Sequence, residues 1–231
     1  MPSVVAEYRR ILEQIAAAAD RAGRDPNEVR LVAVSKFHPA EAVAELARAG
    51  HRDFGENYVQ EALDKQKALA EVPIRWHFIG APQTNKAKYI VGRFHLVHSL
   101  DSAKLARELD RRCSGKEVRQ PVLIQVNLGG EVQKAGVAPE GLRGLAEDVL
   151  ARPWLDLQGL MCMPPLDGDA STNRALFARL RELSRELQRE FALDLPHLSM
   201  GMSHDFQEAV EEGATLIRIG TRIFGKRPSK P

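Results

Sequence analysis

Residues 31–36 read LVAVSK, a short apolar run that ends in a serine and a lysine. A continuous apolar run of this length is typical of a strand buried on both faces of a parallel sheet. Pro39 follows at a helix start, apolar residues then recur at helical spacing, and Gly50 ends the segment. Residues 31–50 are therefore predicted to form one strand followed by one helix.

The same alternation continues along the chain, behind a leading helix predicted at residues 2–22. Further strands are predicted at residues 52–54, 76–79, 95–98, 122–126, 157–161, in a segment ending near Met200, and at 216–219. Helices are predicted between them at residues 57–70, 84–91, from Asp101 or Ser102, after Pro139, at 176–191 and at 205–212. Eight such units predict an α/β fold, a single (β/α)8 TIM-type barrel with an extra N-terminal helix. An open α/β sheet is the alternative, and it would also place functional groups at the carboxyl ends of the strands.

Length and composition narrow the class of protein. A chain of 231 residues without a Pro-, Gly- or Ser-rich linker is predicted to form a single domain over residues 1–231. The 33 basic and 31 acidic residues nearly balance, so a nucleic-acid partner is not indicated. No apolar run approaches the ~20 residues that cross a bilayer, and a cytoplasmic protein without membrane contact is expected. Cys113 and Cys162 lack a metal-ligand spacing and are interpreted as reduced structural thiols.

Lys36 is the first candidate for chemistry, because it directly follows the first predicted strand. Active sites of parallel barrels lie at the carboxyl ends of the strands, which we call the mouth of the barrel. A lysine that is partly desolvated there can become the free amine that attacks a carbonyl. A surface lysine at a strand end is the alternative, and for an isolated lysine that alternative would be favoured.

The second candidate is the segment at residues 199–205, where a predicted strand turns into a helix. Ser203 and Asp205 can cap that helix. The exposed backbone N–H groups of such a turn can equally bind a phosphate. For this segment alone the two interpretations are even.

The third candidate is the segment at residues 218–225, which follows the eighth predicted strand. Gly220 permits close approach of the backbone, and Thr221 offers a hydroxyl group. Barrels commonly bind phosphate with the loops after strands seven and eight. Together with the second segment, this one predicts a phosphate site on the same face as Lys36.

Widely spaced motifs also carry a resemblance to a known family. They are Val34-Ser35-Lys36, Phe54-Gly55-Glu56-Asn57, Trp76-His77-Phe78-Ile79-Gly80 with Asn85-Lys86, Ser199-Met200-Gly201-Met202-Ser203 and Arg218-Ile219-Gly220-Thr221. In order and spacing along nearly the whole chain, these motifs resemble the pyridoxal 5'-phosphate (PLP) homeostasis protein family, which is similar to the barrel domain of alanine racemases. The resemblance implies PLP as the cofactor, held as a Schiff base on Lys36.

The resemblance also implies the residues around the cofactor. Ser203, Gly220 and Thr221 would hold the phosphate, with Met202 beside them. Arg218 would face the pyridine nitrogen of the cofactor.

Three other residues have two interpretations each. Asn57 either donates to the phenolic oxygen of the cofactor, which is slightly favoured, or caps the following helix. His77 is placed at the same mouth, more as a hydrogen-bonded structural histidine than as a proton shuttle. Lys134 is either a second amine near the mouth or a solvated loop lysine, which is the default.

A carrier of PLP is favoured over an enzyme. In alanine racemases the tyrosine opposite the lysine comes from a second domain, whereas this chain ends at Pro231 and offers only Tyr58 for a test. Arg218 beside the pyridine nitrogen would disfavour its protonation and weaken the ring as an electron sink.

The favoured function is therefore storage or delivery of the cofactor in intracellular PLP (vitamin B6) homeostasis, without substrate turnover. We expect a monomer that makes transient contact with PLP-dependent apoenzymes. A PLP-dependent amino-acid racemase is the alternative, and an aldolase-like or phosphate-binding barrel without PLP is the third interpretation.

Overall fold

Eight parallel strands close into a barrel in the computed structural model, which describes residues 3–131, 135–165 and 168–225. The strands are β1 (Arg30–Val34), β2 (Asp53–Glu56), β3 (Arg75–Phe78), β4 (Leu96–Leu100), β5 (Gln120–Val126), β6 (Leu155–Cys162), β7 (His197–Ser199) and β8 (Leu216–Ile219). Each strand pairs with the next, and β1 pairs with β8 so that Ala33 lies beside Ile219. The predicted (β/α)8 barrel is confirmed, and the open-sheet alternative is wrong.

Helices surround the barrel and connect its strands. They are α1 (Val4–Arg21), α2 (Ala40–Arg48), α3 (Val59–Ala68), α4 (Ala87–Ile90), α5 (Ala103–Ser114), α6 (Pro139–Leu150), α7 (Ala170–Phe191), α8 (Phe206–Glu211) and α9 (Thr221–Phe224). The first of these is the predicted N-terminal helix, which the Ser3 hydroxyl caps by accepting from the Ala6 N–H at 3.2 Å. It packs against α2, α8 and α9, the helices that follow β1 or flank β8 along the chain.

Two short helices differ from the sequence prediction. Residues 84–91 were predicted as one helix but form a 3-10 turn, Thr84–Lys86, followed by the single turn of α4. Ala87 and Ile90 are the buried residues of α4, an apolar face too short to stabilise a longer helix. Helix α9 was not predicted, because four residues are too few to show a helical period.

Side chains alternate along the strands between the helices and the interior of the barrel. In β1, Leu31 and Ala33 join the layer that packs against the helices, whereas Val32 points inward. The inward apolar side chains form a small second core made of Val32, Leu96, Leu123, Met161 and Leu216. Several buried side chains of the strands are polar, and they include Asp53, His77, His98, Ser199 and Arg218. The barrel interior is therefore packed, partly by charged and hydrogen-bonding groups.

Candidate functional site

Lys36 lies two residues beyond the end of β1, at the mouth of the barrel, and it is half-buried. The next residue, Phe37, has a φ of 67°, in the left-handed region that non-glycine residues rarely adopt. The chain thus turns sharply just after the lysine. Such a backbone persists only where neighbouring groups hold it in place.

Both neighbours of Lys36 in sequence are held by one buried cluster. The Ser35 carbonyl accepts from Lys65 Nζ at 2.7 Å, and the Ser35 hydroxyl donates to Glu56 Oε1 at 2.6 Å. On the other side, the Phe37 N–H donates to Glu61 Oε1 at 2.5 Å. Strand β2 and helix α3 therefore fix the backbone before and after the lysine. We call Ser35, Glu56, Glu61 and Lys65 the Lys65 cluster.

The charges of Lys65 and Glu56 are buried together, and the Glu61 side chain is 24% exposed. Lys65 Nζ lies 2.6 Å from Glu56 Oε1 and 2.7 Å from Glu61 Oε1. Burial raises the pKa of Glu56, while the nearby Lys65 ammonium opposes that shift. Glu56 Oε2 is buried and has no hydrogen-bond partner within the described ranges. The sequence analysis did not predict this cluster, because a charged residue at the end of a short predicted strand is normally expected to be exposed.

Arg218 is the buried cation of the site, and its residue is only 4% exposed. Its Nη1 donates to Ser199 Oγ at 2.6 Å, and its Nη2 donates to the Cys162 carbonyl at 2.9 Å. Burial lowers the pKa of Arg218. In the part of the chain that the structure describes, no carboxylate forms an ion pair with this guanidinium. The site therefore has a buried positive charge that fits an electron-rich or anionic ligand group.

The segment after β8 brings a glycine, a hydroxyl and a helix start together. Helix α9 begins at Thr221, so the N–H groups of Thr221 and Arg222 have no carbonyl acceptor within that helix. Thr221 itself is exposed. A Cβ on Gly220 would lie 3.0 Å from the Val34 carbonyl oxygen, so a larger residue would crowd the space between β8 and β1.

The segment after β7 is arranged differently from the predicted helix cap. Asp205 occupies the N-cap position of α8, but its carboxylate accepts from the Met202 N–H at 2.6 Å and makes no capping bond to the helix. The Met202 N–H is thus already used within the chain. Ser203 is half-buried, and its carbonyl accepts from Arg222 at 3.5 Å, which joins this turn to the start of α9.

Asn57 lies between β2 and α3, beside a cavity of about 560 Å³ that Tyr58, Lys86 and Tyr89 also line. Tyr58, and not Asn57, is the N-cap residue of α3, so the capping interpretation of Asn57 is wrong. The Oδ1 atom of Asn57 is buried without a hydrogen-bond partner among the described residues.

His77 does not face the mouth, because its side chain is buried inside the barrel and turned towards Asp53, the first residue of β2. Its Nε2 lies 3.0 Å from Asp53 Oδ1, and its Nδ1 lies 2.9 Å from His98 Nε2. The expectation of a hydrogen-bonded structural histidine is confirmed, and its predicted position is wrong. Lys134 lies outside the described residues.

Cys113 and Cys162 are buried free thiols, as predicted, and burial raises their pKa to about 11 and about 12. Across residues 3–131, 135–165 and 168–225, no group of three or more His, Cys, Asp or Glu is arranged to hold a metal ion. No helix in these ranges is long and apolar enough to span a membrane.

A closed parallel barrel with a half-buried lysine just after its first strand, and a buried arginine on its last, defines a barrel of the alanine racemase type. The family model "Alanine racemase, N-terminal domain" matches residues 7–228. An alanine racemase structure from Clostridium difficile 630 shares the fold with a TM-score of 0.72 and 14% identity, and the match covers 96% of this chain and 57% of that one.

Two further relatives are much more similar. A pyridoxal phosphate homeostasis protein of Aquifex aeolicus (strain VF5) is 50% identical over 218 residues, which cover 94% of this chain and 96% of that protein. The structure of PipY from Synechococcus elongatus PCC7942, with PLP bound, has 42% identity and a TM-score of 0.83, and covers 93% of this chain and 100% of that one. This chain belongs to the pyridoxal phosphate homeostasis protein family.

Proposed function

We propose that this chain holds PLP as a Schiff base on Lys36 and takes part in intracellular PLP homeostasis, storing or delivering the cofactor without substrate turnover. The observation that carries the proposal is the Lys65 cluster, which fixes the backbone on both sides of a half-buried lysine at the mouth. Relatives named for PLP homeostasis and a related structure with PLP bound support it.

The proposed binding mode uses the residues that surround the mouth. PLP supplies an aldehyde that condenses with an amine and a ring that withdraws electrons. Lys36 provides the amine, while Ser203, Thr221 and the backbone at Gly220 bind the phosphate. Met202 contributes its side chain to this region, since its N–H already donates to Asp205 at 2.6 Å. Asn57, which lines the cavity, donates to the phenolic oxygen of the ring, and the buried cation of Arg218 faces the pyridine nitrogen.

A carrier fits these residues better than an enzyme. Arg218 is a cation beside the proposed position of the pyridine nitrogen, and a positive charge there disfavours protonation of that nitrogen. An unprotonated ring stabilises a neighbouring carbanion poorly, so removal of an α-proton from an amino acid is slow. The names of the relatives, which describe homeostasis and no reaction, support the same choice.

Partners, assembly and location follow from the same proposal. A carrier has to release its cofactor to PLP-dependent apoenzymes through transient contacts, and we propose that it does so as a cytoplasmic monomer consisting of one domain, residues 1–231. Sedimentation equilibrium of the purified chain at several concentrations tests the monomer. A concentration-independent dimer mass would contradict it.

The test of the cofactor site is a visible spectrum of the purified chain with added PLP, before and after borohydride reduction. Mass spectrometry then maps the reduced adduct in the wild type, in Lys36→Ala and in the matched control Lys86→Ala. Lys86 lines the cavity beside Asn57, so its loss removes an amine from the same mouth. We expect an adduct on Lys36 alone, present in the control and absent from Lys36→Ala. An adduct spread over surface lysines would reject the proposal.

Alanine racemase activity is the second candidate, because the fold resembles the racemase barrel. The PLP-loaded chain is incubated with pure L-alanine, and the D-enantiomer is measured over time. A carrier is expected to show no turnover above that of free PLP. Racemisation that disappears in Lys36→Ala would reject the carrier and support the enzyme.

A further inference from the structure

A hydrogen-bonded chain crosses the inside of the barrel, and nothing in the proposed cofactor site accounts for it. It begins at Arg218 near the mouth and runs through Ser199, His98 and His77 to Asp53, the first residue of β2. We call these five residues the polar chain. Each lies on an inward-facing position of a different strand, and each is buried.

The distances along the polar chain are those of good hydrogen bonds. Arg218 Nη1 lies 2.6 Å from Ser199 Oγ, and the same oxygen lies 2.8 Å from His98 Nδ1. His98 Nε2 lies 2.9 Å from His77 Nδ1, and His77 Nε2 lies 3.0 Å from Asp53 Oδ1. No link is longer than an ordinary N–H···O or N–H···N bond.

The far end of the polar chain is tied to the opposite end of the barrel. Arg75, the first residue of β3, donates to Asp53 through Nε at 2.7 Å and through Nη2 at 2.6 Å. The Arg75 side chain is 46% exposed, so this end reaches solvent. Although burial opposes ionisation, the hydrogen bonds from Arg75 and His77 hold the pKa of Asp53 well below its usual range.

The two ends of the polar chain have opposite and fixed roles. An arginine can only donate, and an ionised carboxylate can only accept. Burial lowers the pKa of His77, and it lowers the pKa of His98 further, so both rings are neutral at neutral pH. A neutral imidazole has one donor and one acceptor nitrogen. Hydrogen bonds between neutral rings can then run in only one direction, from Arg218 towards Asp53.

We propose that Ser199, His98 and His77 are positioning residues that hold Arg218 in place for the cofactor ring, with Asp53 as the fixed acceptor at the far end. Both rings are then the Nε2–H tautomer, and the Ser199 hydroxyl donates to His98 while it accepts from Arg218. The guanidinium is tied to β7 through Ser199 and to β6 through the Cys162 carbonyl, so it cannot rotate. This inference rests on the proposed function for the role of Arg218, while the direction of the chain rests on the barrel alone.

Asp53 and Arg218 are four hydrogen bonds apart along the polar chain, and a change at Asp53 alters which nitrogen of His77 carries the proton. If His77 is no longer held in one tautomer, His98 and then Ser199 are also free to change, because the donor in each hydrogen bond determines the donor in the next. A substitution far from the mouth is therefore expected to change the environment of the cofactor ring.

The first experiment uses the full chain without PLP. Two-bond nitrogen–proton correlation spectra of 15N-labelled protein identify which ring nitrogen of each histidine carries a proton. We expect the Nε2–H tautomer alone for His77 and His98 in the wild type. In Asp53→Asn a second tautomer is expected for both rings, and in the matched control Asp156→Asn none is. Asp156 also lies at the start of a strand and near an arginine, with its carboxylate 3.9 Å from Arg119.

The second experiment measures PLP binding and the visible spectrum of the bound cofactor. We expect Ser199→Ala to weaken PLP binding about three- to tenfold, the order of one ordinary hydrogen bond, and to shift the spectrum. Asp53→Asn is expected to shift the spectrum while the adduct still forms on Lys36. Ser184→Ala, a buried serine of α7, is the matched control and is expected to behave as the wild type.

Two results would overturn the inference: an Nδ1–H or doubly protonated ring at His77 or His98 in the wild type, or unchanged spectra of bound PLP in both Ser199→Ala and Asp53→Asn. A wild-type chain that forms no lysine adduct rejects the proposed function and, with it, the role of Arg218. The tautomers are measured without PLP and decide the direction of the polar chain in either case.

Discussion

Lys65 is the residue on which the geometry around Lys36 depends most. It is buried, and its ammonium donates to the Ser35 carbonyl and to the carboxylates of Glu56 and Glu61. Removing one partner of a buried ion pair leaves an uncompensated charge, which costs more than the pair contributes. The position of Lys36, the proposed cofactor lysine, therefore depends on Lys65, a residue that need not touch the cofactor.

Lys65→Met is predicted to lower the free energy of unfolding by about 3–5 kcal/mol, because Glu56 is left buried beside no cation. It should also slow formation of the PLP adduct on Lys36. Chemical denaturation and the rate of appearance of the bound-PLP band check the two effects. Lys67→Met, an exposed position of the same helix, is the matched control.

Glu56→Gln combined with Lys65→Met is predicted to be more stable than Lys65→Met alone, because the second change removes the unpaired charge. The amide oxygen of the introduced glutamine can still accept from the Ser35 hydroxyl. Stability is compared across the four members of the double-mutant cycle. Additive losses would show that the two side chains do not interact, contrary to their separation of 2.6 Å.

At the scale of secondary structure, the pairing of β5 with β6 contains an irregularity that sequence periodicity could not reveal. Val122 pairs with Leu157, whereas the next residue, Leu123, pairs with Gly159, so Gln158 is an extra residue in β6. Gly159 has a φ of 150°, and a Cβ there would lie 1.9 Å from the His197 carbonyl oxygen of β7. Because of this bulge, the Met161 side chain points into the barrel and packs in the interior core.

Gly159→Ala is predicted to destabilise the protein by several kcal/mol, roughly the size of a severe core substitution, because β6 and β7 would have to separate. Gly144→Ala is the matched control: Gly144 is exposed in α6, and a Cβ there meets no atom within 4 Å. Alanine at that position should stabilise by about 0.5–1 kcal/mol. Thermal unfolding of the two variants checks the opposite signs, and equal effects would contradict the strand-crowding argument.

At the scale of the whole molecule, buried neutral histidines make stability depend on pH. Burial lowers the pKa of His51 to about 4, despite the 2.7 Å hydrogen bond between its Nε2 and the Asp53 carbonyl. In the unfolded chain a histidine titrates near pH ~6.5. Between these values the unfolded state binds a proton that the folded state does not bind, so stability falls as the pH falls.

The free energy of unfolding is therefore predicted to drop by about 3 kcal/mol, from His51 alone, as the pH falls from ~6.5 to ~4. The buried His77 and His98 act in the same direction, since burial lowers the pKa of both. Urea denaturation across this range measures the slope. In His51→Gln the slope should decrease by the equivalent of up to one proton taken up on unfolding. His204→Gln, at an exposed position of the mouth, is the control. An unchanged slope in His51→Gln would contradict the assignment.

Much of the architecture could be predicted because its signals are local. The apolar run before Lys36, Pro39 and Gly50 defined the first strand and helix, and similar punctuation located the others to within a few residues. The same signals placed Lys36 and Gly220 at strand ends. The roles of Asn57 and Asp205 were harder to predict. Whether such a side chain caps a helix or lines a binding site depends on which groups lie next to it in the folded chain. In the structure, neither side chain makes a capping hydrogen bond to its helix.

The sequence by itself determined the alternation of strands and helices, the order of the barrel and the position of the lysine at its mouth, because these follow from periodicities of two to four residues. Only the tertiary structure decided which polar groups meet inside. His98 and Ser199 are 101 residues apart in sequence, and their hydrogen bond exists because barrel closure and the registers of the strands bring them within 2.8 Å. No local pattern encodes such a contact, since it depends on every strand register around the barrel at once.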